Sequence, residues 1–271
     1  MKYKFTLLIS LIFVLIAGFL FVSKSFLKLS SETYTPADFS MAENRLKDQT
    51  AKNTYIIRNI GSSQEVWQVS QTGEEIKLFS GNQIYSIKVS PDDHYLAIDI
   101  NGQDIKLFNI SSKEITSISR EQLTASDSGE AVELLGWSAD SNDLWGGTFF
   151  GYNADFFRMN IASNKIDKFG LFKNYINISD YALNPNTGIF AAVVFSQGPS
   201  ISDQEIDVKF IVRNLFTDRE ILITEDKMQI IDGFIEKFEP KWLDDETLEY
   251  SSPDGSGRKV YDLPNNFILN N

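Results

Sequence analysis

The sequence predicts an all-β fold, a β-propeller of about five four-stranded blades with four or six as alternatives, preceded by an N-terminal transmembrane helix. Three observations carry this. From Ile87 to Ile118 four short runs alternate apolar and polar residues between turns, the pattern of half-buried strands. The four-run pattern returns roughly every 50 residues, and sheets with two apolar faces bury both only by stacking on neighbours in a ring. Ahead of the repeats, Phe5 to Val22 is a stretch of 18 residues without a charge.

That first stretch, as a helix at about 1.5 Å per residue, spans roughly 27 Å, close to a hydrocarbon core. The only small-residue site after it, Ser23-Lys24-Ser25, contains a charge, so an uncleaved anchor over residues 1–28 is expected in preference to a cleaved signal. Lys2 and Lys4 precede the span and Lys24 and Lys28 follow it before the acidic Glu32 and Asp38, so the N-terminus is expected in the cytoplasm and the remainder outside, periplasmic or extracellular. Residues 29–53 form a juxtamembrane segment. Within it Thr35 reads as an N-cap and Pro36 as a first helical position, with Phe39, Ala42 and Leu46 on one face. A helix from about Pro36 to Gln49 would be a stalk or a lid, and a solvated linker is the alternative.

The propeller occupies 54–271. Its first unit reads TYIIRNI, EVWQVS and EIKLFS, without an inner strand. The second is the stretch from Ile87 to Ile118. In the third, AVELLGWS, DLWGGTFF, DFFRMNI and IDKFG follow one another, with Trp137-Ser138 in the place of Val89-Ser90. The fourth has NISDYAL, IFAAVVF, DVKFIVRNL and REILIT. The fifth has IEKFEPKWL, TLEYSS and RKVYDL, with no clear fourth strand. An open ring exposes strand edges, so either Asn266 to Leu269 adds the inner strand of the first unit or a segment before Thr54 completes the fifth.

Val89-Ser90-Pro91-Asp92-Asp93, followed by Leu96-Ala97 and Ile105-Lys106-Leu107-Phe108, together with Val66-Trp67-Gln68-Val69 before Thr72-Gly73, resembles the TolB-type (WD40-like) propeller repeat with its Ser-Pro-Asp-Gly turn. The likeness covers Thr54 to Leu263. Asn109 stands where that repeat often has Asp, and Asn184-Pro185-Asn186 replaces Ser-Pro-Asp in the fourth unit. The resemblance implies a propeller and an extracytoplasmic setting, and carries over no catalytic residue. Asp92, Asp140 and Asp244 read as turn residues, Pro presetting φ and Asp accepting from backbone N–H groups ahead of it.

Composition narrows the functions. Four of the 25 basic residues, Lys2, Lys4, Lys24 and Lys28, stand in the first 30 positions and none of the 37 acidic ones does, so the propeller is acidic and unsuited to nucleic acid. There is no cysteine and one histidine, His94, which leaves triad and zinc chemistry without ligands; no cofactor and no metal are expected.

The first and third connections of each blade are short, whereas the opposite face carries the long segments Ser119 to Glu130, Gly151 to Ala154, Ser196 to Glu205 and Thr224 to Gly233. Variable loops on a rigid scaffold are where binding residues concentrate. Candidate contacts there are Phe149, Phe150 and Tyr152, in a cluster with Phe156 and Phe157 of which alternation buries about half. Asp127, Glu130, Asp203 and Glu205 are the candidate acids, among loop carboxylates that also include Glu121, Glu225, Asp226 and Asp232. The expected function is a membrane-anchored extracytoplasmic protein-interaction or envelope-scaffolding module with a protein partner. The alternative is a carbohydrate-binding or carboxylate-dependent carbohydrate-active propeller with a glycan ligand.

Overall fold

In a computed structural model the chain is described over residues 47–123, 131–150, 153–170, 177–195, 205–229, 238–252 and 256–268. Its strands pair antiparallel, in chain order, into five sheets. Blade 1 is β1 (Lys47–Gln49), β2 (Asn53–Ile60), β3 (Ser63–Ser70) and β4 (Glu75–Gly81). Blade 2 is β5 (Ile84–Val89), β6 (Tyr95–Ile100), β7 (Asp104–Asn109) and β8 (Ile115–Ser119), followed by a helical turn α1 (Arg120–Leu123). Blade 3 is β9 (Ala131–Trp137), β10 (Asp143–Phe150), β11 (Asn153–Asn160) and β12 (Lys165–Phe169). Blade 4 is β13 (Asn177–Asn184), β14 (Ile189–Phe195), β15 (Glu205–Asn214) and β16 (Glu220–Gln229). Blade 5 has three strands among the described residues, β17 (Lys241–Trp242), β18 (Thr247–Ser251) and β19 (Arg258–Asp262), and the turn α2 (Asn265–Ile268) follows.

The inner strand expected to be missing from the first unit is present: β1 pairs with β2 through Lys47↔Ile56 and Gln49↔Thr54. Lys47–Gln49 is therefore strand and not the end of the helix expected from Pro36, because its backbone groups find partners on the free edge of β2. With that edge taken, Asn265–Ile268 closes into a helical turn, not a strand, and buries Phe267. The span at Phe5 to Val22 and the start of the stalk lie outside the described residues. No helix among those described is long and apolar enough to cross a membrane.

The cores lie between blades. Along β14 every residue is buried, and alternation splits them. Ile189, Ala191, Val193 and Phe195 pack with Leu248 and Tyr250 of blade 5, while Phe190, Ala192 and Val194 pack with Phe156 of blade 3. Successive residues of a strand point to opposite faces, so a continuous apolar run is what a two-sided interface demands. Leu96 and Ile98 likewise join Tyr55 and Val66 of blade 1, whereas Ala97 joins Val132, Trp137 and Leu144 of blade 3. Burying one such side chain stabilises by about 1.5–3 kcal/mol.

The first connections repeat one geometry. Ser90 Oγ donates to Asp92 Oδ1 at 2.6 Å and accepts the Tyr95 N–H, and Asp92 Oδ1 accepts the His94 N–H. In blade 3 Ser138, Asp140, Asn142 and Asp143 make the same set. In blade 5 Asp244 accepts from the Glu246 and Thr247 amides, and in blade 4 Asn184 accepts from Asn186. The third connections repeat too: Asn109, Asn160 and Asn214 each accept backbone N–H groups two or three residues on. Asn109 thus does what Asp would do in its place, since either side chain presents the accepting oxygen.

Candidate functional site

The two ends of the disc are built differently. On the end of the first connections the turns are latched from blade to blade. Thr50 and Tyr55 donate to Asp93, the Asp92 N–H donates to Ser141 Oγ, the Ala139 N–H to Asn186 Oδ1, and Asn186 Nδ2 to Asp245 Oδ1. Burial pulls the Asp92 carboxyl upward, but the Ser90 hydroxyl and the His94 N–H and imidazole hold it below the ordinary value. The Ser138 hydroxyl, then the Asn142 N–H, hold Asp140 down in the same way. The polar groups of this end are engaged with one another. His94, exposed, sits with Nδ1 at 2.8 Å from Asp92 Oδ2, as a turn residue.

The opposite end, that of the second connections and the links between blades, bears a cleft of about 720 Å³ where blade 1 meets blade 2. The end of the β2–β3 hairpin, with Asn59, Gly61 and Ser62, forms one wall. The link from β4 to β5, with Asn82 and Gln83, leads to Tyr85 on the other. Gln64 ties the walls together, its side-chain carbonyl accepting the Ile84 N–H at 2.5 Å. A β-bulge in β5 leaves Tyr85 unpaired between Ile84↔Ile100 and Ser86↔Asp99, and the residue is 50% exposed. The ring backs onto Gly102, where a Cβ would lie 3.4 Å from it and where φ is +62°. That turn is fixed from beneath by Asp99, 3% exposed, which accepts the Gly102 N–H at 2.9 Å. Gln83 has φ 56°, a left-handed conformation rare outside glycine, and its carbonyl accepts the Asn101 N–H at 2.7 Å.

Of the residues singled out from the sequence, Phe149 and Phe150 end β10 on this same face, their backbones paired with Ala154 and Asn153. Glu205 opens β15 opposite Gln229. The side chains of these three, and Tyr152, Asp127, Glu130, Asp203 and Asp232 altogether, lie outside what is described. Phe156 and Phe157 are interior, at 1% and 0% exposure, on opposite sides of β11. Glu225 and Asp226 lie on a strand and not in a loop, because β16 runs on to Gln229 opposite the start of β15, and both are exposed there. Glu121 is exposed on α1.

Acids near the inner strands are engaged structurally. Glu133 accepts the Tyr181 hydroxyl at 2.9 Å, Asp180 accepts the Phe238 and Glu239 amides, and Glu239 accepts from Ser251 and Arg258. Among the described residues no three of His, Asp and Glu come together as a metal site. Tyr85 and the amides beside it form no recognisable motif in the sequence. The available signal was the Gly81-Asn82 punctuation before β5 and an aromatic residue directly after Ile84, out of step with the alternation.

No protein-family model and no curated protein matches the chain. Solved structures do. An oligogalacturonate lyase from Vibrio parahaemolyticus superposes with a TM-score of 0.58 at 12% identity, over 82% of this chain and 66% of its own. An oligogalacturonate lyase in complex with manganese gives 0.54 at 11%, over 82% and 65%. TolB from Acinetobacter baumannii is similar at 0.49 and 16%, over 79% and 53%. The chain spans between half and two thirds of the length of these proteins. The likeness to the two lyases is one of fold alone, and it agrees with the propeller read from the repeats.

Proposed function

We propose that the chain is a propeller held on the outer side of a membrane by residues 5–22, and that it works as a protein-interaction or envelope-scaffolding module through the face of its second connections. One observation carries the choice of face: the turns at the other end are latched to one another from blade 1 to blade 5, whereas this end presents the exposed Ile60 and Tyr85 and the open cleft. Apolar and aromatic side chains exposed on a rigid frame favour contact with a partner. On this reading Phe149, Phe150, Tyr152, Asp127, Glu130, Asp203 and Glu205 supply partner contacts around the same rim, and the acidic balance of the chain favours a partner with a neutral or basic surface.

The test is site-specific photo-crosslinking of the full-length chain in intact cells. A crosslinker at position 152 or 203 is expected to capture a discrete protein partner, and one at position 94 or 142, on the latched end, none. The reverse distribution would overturn the assignment of the face. Release of the chain from membranes by alkaline carbonate would overturn the anchor.

A further inference from the structure

We infer that the cleft between blades 1 and 2 is a binding site for a neutral saccharide chain, with Tyr85 as its platform. The site shares its face with the protein contact proposed above but does not rest on that contact. Unlike a carboxylate-dependent site, it asks no acid to react.

Every lining side chain is uncharged, and the polar ones besides Tyr85 are the amides of Asn59, Gln64, Asn82 and Gln83 and the hydroxyls of Ser62 and Ser63. An amide offers a donor and an acceptor side by side, which matches vicinal hydroxyls that both donate and accept. With no cation among the lining residues and a net charge of −12 on the chain, a polyanion such as a galacturonate oligomer is disfavoured.

Tyr85 supplies the apolar element. A half-exposed aromatic side chain backed by Gly102 gives a flat surface for the C–H face of a pyranose. Its presentation costs something locally, through the bulge in β5 and the left-handed Gln83, and strain of this kind persists where the surrounding structure over-determines it. The volume of about 720 Å³ lies within the usual range of ligand clefts, about 300–1,000 Å³. An extended peptide fits less well. It needs a free strand edge or a row of pockets, and here the Ile84 N–H is taken by Gln64 and the Gln83 carbonyl by Asn101.

The experiment titrates the full-length chain with cellohexaose, maltohexaose and chitohexaose by calorimetry, with hexagalacturonate and a neutral Ser/Asn-rich decapeptide as comparison ligands. Saturable binding of at least one neutral hexasaccharide is expected, weakened about tenfold or more by Tyr85→Ala and changed less than about twofold by Tyr85→Phe. Ser62→Trp, in an exposed turn, is expected to fill the cleft and abolish binding with an unchanged melting temperature, which separates loss of the site from loss of the fold. The inference is overturned if no neutral hexasaccharide binds at about 10 mM, if Tyr85→Ala leaves its affinity unchanged, or if the decapeptide or hexagalacturonate binds more tightly with the same dependence on Tyr85.

Discussion

The phenol of Tyr55, in the second strand of blade 1, donates to Asp93 Oδ1 at 2.6 Å across the boundary to blade 2, and Thr50 Oγ1 joins the same carboxylate at 2.9 Å. Asp93 has φ 63°, Ser141 in blade 3 has φ 62°, and Gly188 in blade 4 has φ 65°. The first turn of each of these blades therefore needs a left-handed residue, the position to which the Ser-Pro-Asp-Gly turn gives glycine. Two blades instead carry a side chain there, and in both that side chain is the latch to the preceding blade.

Asp93→Gly tests whether the latch outweighs the backbone cost. Glycine would relieve roughly 1–2 kcal/mol of left-handed strain. It would also remove hydrogen bonds to a charged acceptor, each contributing about 1.5–3 kcal/mol. Tyr55, fully buried, would keep Gln68 as its hydrogen-bond partner. The expected outcome is a net loss of about 1–3 kcal/mol in urea denaturation. A variant as stable as the parent would show that the latch contributes nothing.

Stability is expected to fall with acid through these same turns. The carboxyls of Asp92, Asp140 and Asp244 are held below their ordinary values, Asp140 by the Ser138 hydroxyl first and Asp244 by the Glu246 N–H first. A depressed folded-state pKa means that the unfolded chain binds more protons, so the contribution is full above about pH 4, the unfolded value, and is lost as pH falls through the folded value. Asp140→Ala should lower the urea midpoint at pH 7, and the gap from the parent should close as pH drops below about 4. A gap independent of pH would assign the effect to packing instead.

The alternating runs from Ile87 to Ile118 and the turn at Ser90-Pro91-Asp92 made the blades legible, because strand period and turn chemistry are local properties. The inner strand Lys47–Gln49 was not legible. Three polar residues have no strand signal of their own, and only the free edge of β2 makes them a strand. Tyr85 was hidden for a related reason. Its exposure comes from a one-residue bulge opposite β6, and a bulge is a property of two strands, not of one sequence. Alternation alone would bury only one of the adjacent Phe156 and Phe157; both are interior because β11 is packed on both faces by neighbouring blades.

Trp137 donates its indole N–H to the Lys88 carbonyl at 3.0 Å, and Trp242, at the corresponding position of blade 5, donates to Ala182 at 3.1 Å. Each tryptophan binds its blade to the inner strand of the preceding one. Trp137→Phe keeps most of the buried ring that packs near Tyr95 and removes the donor, so a loss of about 1–2 kcal/mol is expected. Trp137→Ala, which also opens a cavity, should cost about 3–5 kcal/mol. Equal losses from the two substitutions, measured by thermal or urea denaturation, would show that the hydrogen bond and not the packing dominates.

Asp180 is the bulged residue of β13, with φ 43°, and its carboxylate receives the Phe238 and Glu239 amides where the chain enters blade 5. Blade 5 is otherwise fastened through the Trp242 indole, through Asn184 and Asn186 to the Asp244–Asp245 turn, and through Phe238 and Tyr250 packed on Phe210. Removing one fastening of a sheet with three strands among the described residues should loosen that sheet before the rest, since local opening follows the units with the fewest buried contacts. Asp180→Ala is therefore expected to speed amide exchange in Thr247–Ser251 and Arg258–Asp262 by about tenfold or more while Tyr95–Ile100 in blade 2 is unchanged. Uniform acceleration across both blades would mean that the propeller opens as a single cooperative unit, and that the carboxylate at position 180 stabilises the whole ring and not its last blade.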